Sequence, residues 1–288
     1  MGADFAQEFP FARALYEEAD RVLGWSVSTL SFEGPQETLN DTRYTQPALF
    51  VHSVAAAEML REHGVHPDVV AGHSLGEYAA LVAAGTLRFG DGLCLVSERA
   101  AAMAEAAAAQ PGTMAAVVGL DCEAVSAAIA GIDGVVAANY NAPDQVVISG
   151  TLLGVQTAGE TLSALGAKRV LPLKVSGAFH SPLMGPAAHR FKKTLDTIEL
   201  CDARVPVIPN VTAEPTQDRG RIRDLLVEQI TSPVQWTNTM RCLASLGVGT
   251  CYETGPGKVL QGLMRRAEPD IVVKSGGSVN DIRACTQK

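Results

Sequence analysis

Basic charge is the scarcer sign in this chain, with 23 Lys and Arg against 31 Asp and Glu and a net charge of −8. No Lys/Arg run is long enough to follow a phosphate backbone, so non-specific nucleic-acid binding is excluded as a primary role. Long apolar runs are missing too: no stretch approaches the roughly 18 residues that a membrane helix needs. The first ten residues, MGADFAQEFP, lack a basic segment followed by an apolar one, so no signal peptide is expected there. Cysteine is sparse and scattered, at Cys94, Cys122, Cys201, Cys242, Cys251 and Cys285. None forms a C-x-x-C pair or sits beside histidine at ligand spacing, which argues against a metal site and a disulfide framework. Reduced thiols and a cytoplasmic or organelle-matrix compartment fit. Dinucleotide-binding glycine loops and H-E-x-x-H are absent, so neither a redox cofactor nor a catalytic metal is expected. Repeats and low-complexity linkers are absent, apart from an alanine-rich helix near residues 100–109.

What the chain has is apolar residues, 47% of 288, enough for a large core without staples. Helical periodicity runs over 4–23, over 47–63 opening on Pro47, over 75–85 stopped by Gly85, and over 91–109 ended by Pro111-Gly112. A short buried strand is expected at 68–72. The pattern then changes to strand 113–119, helix 121–131, strands 134–140 and 145–149, helix 151–166 and strand 168–175. That β-α-β-β-α-β order is the signature of a ferredoxin-like unit. Beyond residue 180 the chain returns to mixed α/β, with helices at 183–197, 219–230, 234–246 and 257–267 and strands at 205–211, 249–253 and 270–274. The reading is an α/β body, residues 1–112 and 178–288, with a ferredoxin-like subdomain inserted at 113–177. A cleft between the two is the natural ligand site.

The most chemical stretch is VVAGHSLGEYAA, residues 69–80, a G-x-S-x-G centred on Ser74 between an apolar strand and an alanine-rich helix. A nucleophile in such a strained turn needs small neighbours, here Gly72 and Gly76. The turn puts Ser74 at a helix N-terminus, where the Leu75 N–H is the expected oxyanion donor. The hydroxyl needs a base. His52, His63, His66, His73 and His189 read as packed, loop or solvated residues. His180, in a loop following the subdomain, is the candidate. Asp121, Asp133 and Asp144 fall between serine and histidine but inside the inserted unit, so a triad and a dyad oriented by a backbone carbonyl both stay open.

Taken together and in order, GPQETLNDT, TQPAL, GHSLGEYAALVAAG, VSERAAAM, VSGAFHSPLM, SPVQW and YETGPGKVL resemble the malonyl-CoA:acyl carrier protein transacylases of type II fatty acid synthesis. The resemblance implies an α/β-hydrolase-like main body with an inserted ferredoxin-like subdomain. It implies Ser74 as nucleophile, His180 as general base and Arg99 as the group that holds the malonyl carboxylate. The main-chain carbonyl of Gln229 would orient the histidine, giving a dyad. Gln46 and Asn141 match positions lining the family's cleft, and Phe179 looks like the malonyl-type variant of its motif. The implied reaction is ping-pong transfer of malonyl from malonyl-CoA, a substrate rather than a cofactor, to the phosphopantetheine thiol of acyl carrier protein. A monomer is the expected state. The carrier is acidic, so docking would need a basic patch, with Arg190, Lys192 and Lys193 or Lys168 and Arg169 as candidates; solvated helix faces explain them equally. The family also begins with an apolar strand and a G-Q-G-S-Q loop that no stretch here supplies. The expectation is therefore a sheet short of a strand and weakened activity or stability. Rival readings are a free-standing acyltransferase of a polyketide pathway, a serine acyl-hydrolase and a non-catalytic carrier-docking module.

Overall fold

The computed structural model describes residues 1–286, with side chains to residue 284. The expected first helix is two: α1, Ala3–Glu8, and α2, Pro10–Leu23. Pro10 disfavours helical torsions at the residue before it, and Phe9 is extended at φ −123°. Two short helices without a sequence counterpart follow, α3, Val27–Glu33, and α4, Gln36–Leu39. Helix α5, Thr42–Glu62, starts five residues earlier than expected, at the Asp41 cap, and carries Pro47 in its interior. Then come β1, Val70–Ala71, α6, Gly76–Ala83, and α7, Phe89–Ala109. Gly85, at φ +73°, takes the left-handed step that ends α6.

The middle of the chain builds β2, Thr113–Val118, α8, Cys122–Ile129, β3, Val135–Ala142, β4, Gln145–Gly150, α9, Leu152–Ala164, and β5, Arg169–Pro172. Their strands form one antiparallel sheet ordered β3-β4-β2-β5. Asp121 and Thr151 cap the two helices through their side chains. Val117, Val125, Ile148, Ala158 and Leu162 close a small core between helices and sheet.

The rest comprises a 3₁₀ turn at Pro182–Met184 running into α10, Gly185–Leu195, then β6, Val207–Ile208, α11, Arg219–Glu228, α12, Trp236–Ser245, β7, Thr250–Glu253, α13, Val259–Ala267, β8, Val272–Ser275, and α14, Val279–Thr286. Among the described residues its strands form only two parallel pairs, β1 with β6 and β7 with β8, shorter than the sequence pattern suggests. The molecule is a mixed α/β fold. Its largest core packs α2, α5, α6, α7 and α10 around Tyr16, Phe50, Tyr78, Leu81, Leu93 and Phe191. The antiparallel sheet is stitched to the remainder at one edge, where Val234 exchanges backbone hydrogen bonds of 2.9 Å with Ala138 and Tyr140. That seam fixes the segment between α11 and α12, which carries part of the site. Five cysteines, Cys94, Cys122, Cys201, Cys242 and Cys251, are free thiols, and the Cys285 side chain lies outside those described.

Candidate active site

Ser74 stands between β1 and α6 with φ +50°, a left-handed torsion that a side chain adopts only at a cost of about 1–3 kcal/mol. The strain is held by neighbours. A Cβ at Gly72 would lie 2.0 Å from the Gly76 carbonyl, so only glycine fits there. Gly76 differs from the expectation: a Cβ there meets nothing within 4 Å. Asn210, just past the end of β6, spans the turn with one amide. Its Oδ1 accepts from the Ser74 N–H at 2.6 Å and its Nδ2 donates to the Gly72 carbonyl at 2.6 Å. The helical bonding that opens α6 begins with the Gly76 N–H on the His73 carbonyl. The Leu75 N–H precedes that bond and lies at the positive end of the helix, the geometry of an anion site.

His180 also has a left-handed torsion, φ +55°. Apart from glycines, only one other described residue, Ala213, shares that region, so two of the three strained residues face each other here. Ser181 locks the bend behind His180 by donating to the Ala178 carbonyl and capping the 3₁₀ turn. The imidazole Nε2 is 2.8 Å from Ser74 Oγ and Nδ1 is 2.9 Å from the Gln229 carbonyl. A carbonyl can only accept, so Nδ1 carries the proton and Nε2 is free to accept the serine proton. Gln229 is the residue on which α11 ends. Its carbonyl is one of the unpaired acceptors at the negative end of that helix, a place that stabilises an imidazolium. No carboxylate is needed to fill the third position.

Arg99, on α7, is among the most deeply buried side chains, at 1% exposure. Its Nη1 donates to Gln46 Oε1 at 2.6 Å, and its Nη2 donates to Gln229 Oε1 at 3.1 Å and to Ser74 Oγ at 3.0 Å. The guanidinium carbon lies 5.6 Å from the Tyr78 ring centroid, within cation–π range. No acidic side chain forms a salt bridge with it among the described residues, and its buried Nε–H has no acceptor. A buried cation that feels the Glu77 charge but forms no direct salt bridge, set beside the Ser74 hydroxyl, is prepared for an anion from outside. Burial and, next, the Arg99 charge push the His180 pKa down to about 3, so the imidazole is neutral. Burial likewise lowers the pKa of Arg99 from its usual value.

The fold brings Ser74, Leu75, Gln46, Arg99, His180 and Gln229 to one place. Asn141 sits differently: it meets the ring of His73 at 2.7 Å, and His73 packs on Trp236 rather than on the nucleophile. Phe179 is half-buried, packed between the main core and the cluster that includes Met114 and Val147. Of the basic candidates, Arg190 is spent on Glu98 and Glu105, and Lys192 on Asp196. Two residues the sequence reading passes over are central, Asn210 and Glu77. The signal for Glu77 is an acid three residues after Ser74, opening an otherwise apolar helix; for Asn210 it is a polar residue at the carboxyl end of a buried strand.

Residues 1–284 match the family model for the acyl transferase domain. The malonyl CoA-acyl carrier protein transacylase of Bacillus subtilis is 46% identical over 270 residues, covering 92% of this chain and 85% of that protein. The crystal structure of an acyl carrier protein S-malonyltransferase from Vibrio cholerae O1 superposes with a TM-score of 0.96 at 40% identity, covering 99% of this chain and 94% of the other. A malonyl-transacylase solved in complex with a type II PKS acyl-carrier protein gives a TM-score of 0.95 at 39% identity, with the same coverages. A strained serine, a histidine held by a backbone carbonyl, a buried arginine at the serine hydroxyl and similarity over 92–99% of the chain converge: the chain belongs to the malonyl CoA-acyl carrier protein transacylase family of acyl transferases.

Proposed function

We propose that this protein moves a malonyl group from malonyl-CoA to the phosphopantetheine thiol of an acyl carrier protein, through an ester on Ser74, in supply of fatty acid synthesis. The single observation that carries this reading is Arg99 Nη2 at 3.0 Å from Ser74 Oγ. In a malonyl thioester the carboxylate is two bonds from the reacting carbonyl, so its binding group must lie beside the nucleophile. A generic esterase gains nothing from that cation.

His180 Nε2 takes the Ser74 proton while Oγ attacks the thioester carbon. The resulting oxyanion is held by the Leu75 N–H, and the imidazolium by the Gln229 carbonyl and the α11 terminus. Collapse breaks the carbon–sulfur bond, and the coenzyme A sulfur leaves with the proton from His180. The carrier's thiol then gives its proton to His180 and attacks the malonyl ester, and Ser74 leaves as the alcohol. This is two-step covalent transfer with one base used twice.

Arg99 does more than bind. Its Nη2 donates to Ser74 Oγ, and its charge repels a protonated His180. A malonyl carboxylate would draw the guanidinium off Oγ and offset that repulsion, so His180 becomes more basic as the correct substrate arrives. Gln46 and Gln229 keep the fork in plane for a two-pronged grip. Phe179 is proposed to fill the space of an α-methyl group; Phe179→Ser is expected to raise methylmalonyl transfer, and no gain would refute that.

The finer architecture is proposed on the same footing. The β3-β4-β2-β5 order with two helices on one face supports a ferredoxin-like subdomain at 113–177, set into an α/β-hydrolase-like body of 1–112 and 178–288. No cofactor is invoked, because Ser74, His180, Arg99, the Leu75 N–H and the Gln229 carbonyl supply every group the transfer needs. With Arg190 and Lys192 paired, Lys168, Arg169 and Lys193 are the better candidates for meeting an acidic carrier. No described helix is long and apolar enough to cross a membrane, which is consistent with an enzyme acting on water-borne thioesters. The test is acyl-enzyme lifetime. The malonyl ester is expected to persist in buffer and to discharge on adding holo carrier; discharge to water at the same rate would make the protein a hydrolase.

A further inference from the structure

Glu77 is the one acidic side chain buried beneath the elbow, at 1% exposure, on the first turn of α6. No described hydrogen bond joins its carboxylate to Ser74 Oγ or His180, and the transfer mechanism does not use it. Both of its described hydrogen bonds nonetheless end on the two residues that shape the site. Oε2 accepts from the Asn210 N–H at 3.0 Å and from Gln229 Nε2 at 2.7 Å. Asn210 is the amide that spans the strained turn at Ser74. Gln229 supplies the carbonyl under His180 and an acceptor for Arg99, and its Nε2 also reaches the Ser74 carbonyl at 3.0 Å. One carboxylate oxygen therefore ties the nucleophile's turn, the base's anchor and the arginine's anchor to one point.

We propose that Glu77 is a positioning residue: through Asn210 and Gln229 it holds Ser74, His180 and Arg99 in mutual register, and it does so as a double hydrogen-bond acceptor rather than as a charge. Both donors converge on Oε2, and no described hydrogen bond engages Oε1. A proton on Oε1 leaves the two bonds in place, so the role does not depend on the ionisation of this carboxyl. Burial pushes that group up to about 7, and its charged neighbour is Arg99, so it is poised between forms near neutrality. A glutamine offers one amide oxygen in the same position and can accept both hydrogens. An aspartate keeps the charge but withdraws the oxygen by about 1.5 Å, one carbon–carbon bond.

The inference rests on the malonyl-transfer reading, and the experiment separates the two. Transfer of malonyl from malonyl-CoA to holo carrier is measured for wild type, Glu77→Gln, Glu77→Asp and Glu77→Ala, with kcat and KM resolved and thermal unfolding recorded. Absence of transfer by the wild type is failure of the functional reading alone. Given wild-type transfer, Glu77→Gln is expected to keep kcat within about fivefold, while Asp and Ala lose about tenfold or more in kcat with KM for malonyl-CoA little changed, the mark of misaligned chemistry. If the Ala variant does not fold, the Gln and Asp pair decides. Full kcat in Asp with loss in Gln would assign the role to charge and overturn the proposal. Equal retention or equal loss in both would overturn it as well.

Discussion

Replacing Arg99 by alanine is expected to act in opposite directions on two substrates. With malonyl-CoA the variant loses a buried carboxylate–guanidinium contact. Breaking such a pair by removing one partner leaves the other charge desolvated, at about 3–5 kcal/mol. At about 1.4 kcal/mol per decade this is a fall of about 10²–10⁴ in kcat/KM. With acetyl-CoA the wild-type site has the reverse difficulty. No anion meets the guanidinium, Nη2 stays on Ser74 Oγ, and His180 remains suppressed by the nearby charge. Removing the cation frees Oγ and lets the imidazole pKa rise. Acetyl transfer is therefore expected to gain by about tenfold or more, since a hydrogen bond to a charged group is worth about 1.5–3 kcal/mol. Arg99→Lys should fall between, since an ammonium keeps the charge but not the planar fork. The assay is steady-state transfer to holo carrier from each thioester, with thermal unfolding run alongside because Gln46 and Gln229 lose their partner. A malonyl loss below about tenfold, or an unchanged malonyl-to-acetyl ratio, would refute the reasoning.

Two further outcomes follow from the geometry. A free imidazole with a pKa near 6.5 would be mostly protonated at pH 5.5, whereas His180, at about 3, stays neutral. The acylation rate constant kcat/KM should hold down to about pH 5 rather than falling through 6.5. The same depression makes the unfolded state bind more protons between about 3 and 6.5, so the His180 contribution to stability declines as pH falls through that window. A pH profile with its acid limb at 6.5 would contradict this. Gly72→Ala should unfold or inactivate the protein, while Gly76→Ala should be tolerated or slightly stabilising, since only the first Cβ strikes backbone. Thermal unfolding of the two variants checks it, and equal losses would contradict it.

The sequence is most legible where chemistry is local. The elbow reads directly because a strand, a serine between glycines and an apolar helix lie within twelve residues. The helices of the central sheet unit read well because Asp121 and Thr151 are capping residues at the expected places. Legibility fails where the deciding partner is remote. Gln229 is 155 residues from Ser74, and its orienting group is a backbone carbonyl that any residue type could supply. Arg99 is indistinguishable by spacing from a surface arginine; resemblance singles it out, and only packing shows that it is buried and free of salt bridges among the described residues. Glu77 looks like an acid in the first turn of a helix, a common surface device. Folding places it in the interior, where two donors from distant segments turn it into a structural acceptor. Pro47 shows the converse: a strong local helix-start signal loses to the Asp41 cap six residues earlier.

The account turns on a malonyl ester at Ser74, and intact-mass measurement of the protein mixed with malonyl-CoA tests it most directly. The account predicts one malonyl adduct on the wild type, none on Ser74→Ala, and loss of the adduct when holo carrier is added. A persistent adduct on Ser74→Ala, or none on a folded wild type, would contradict it.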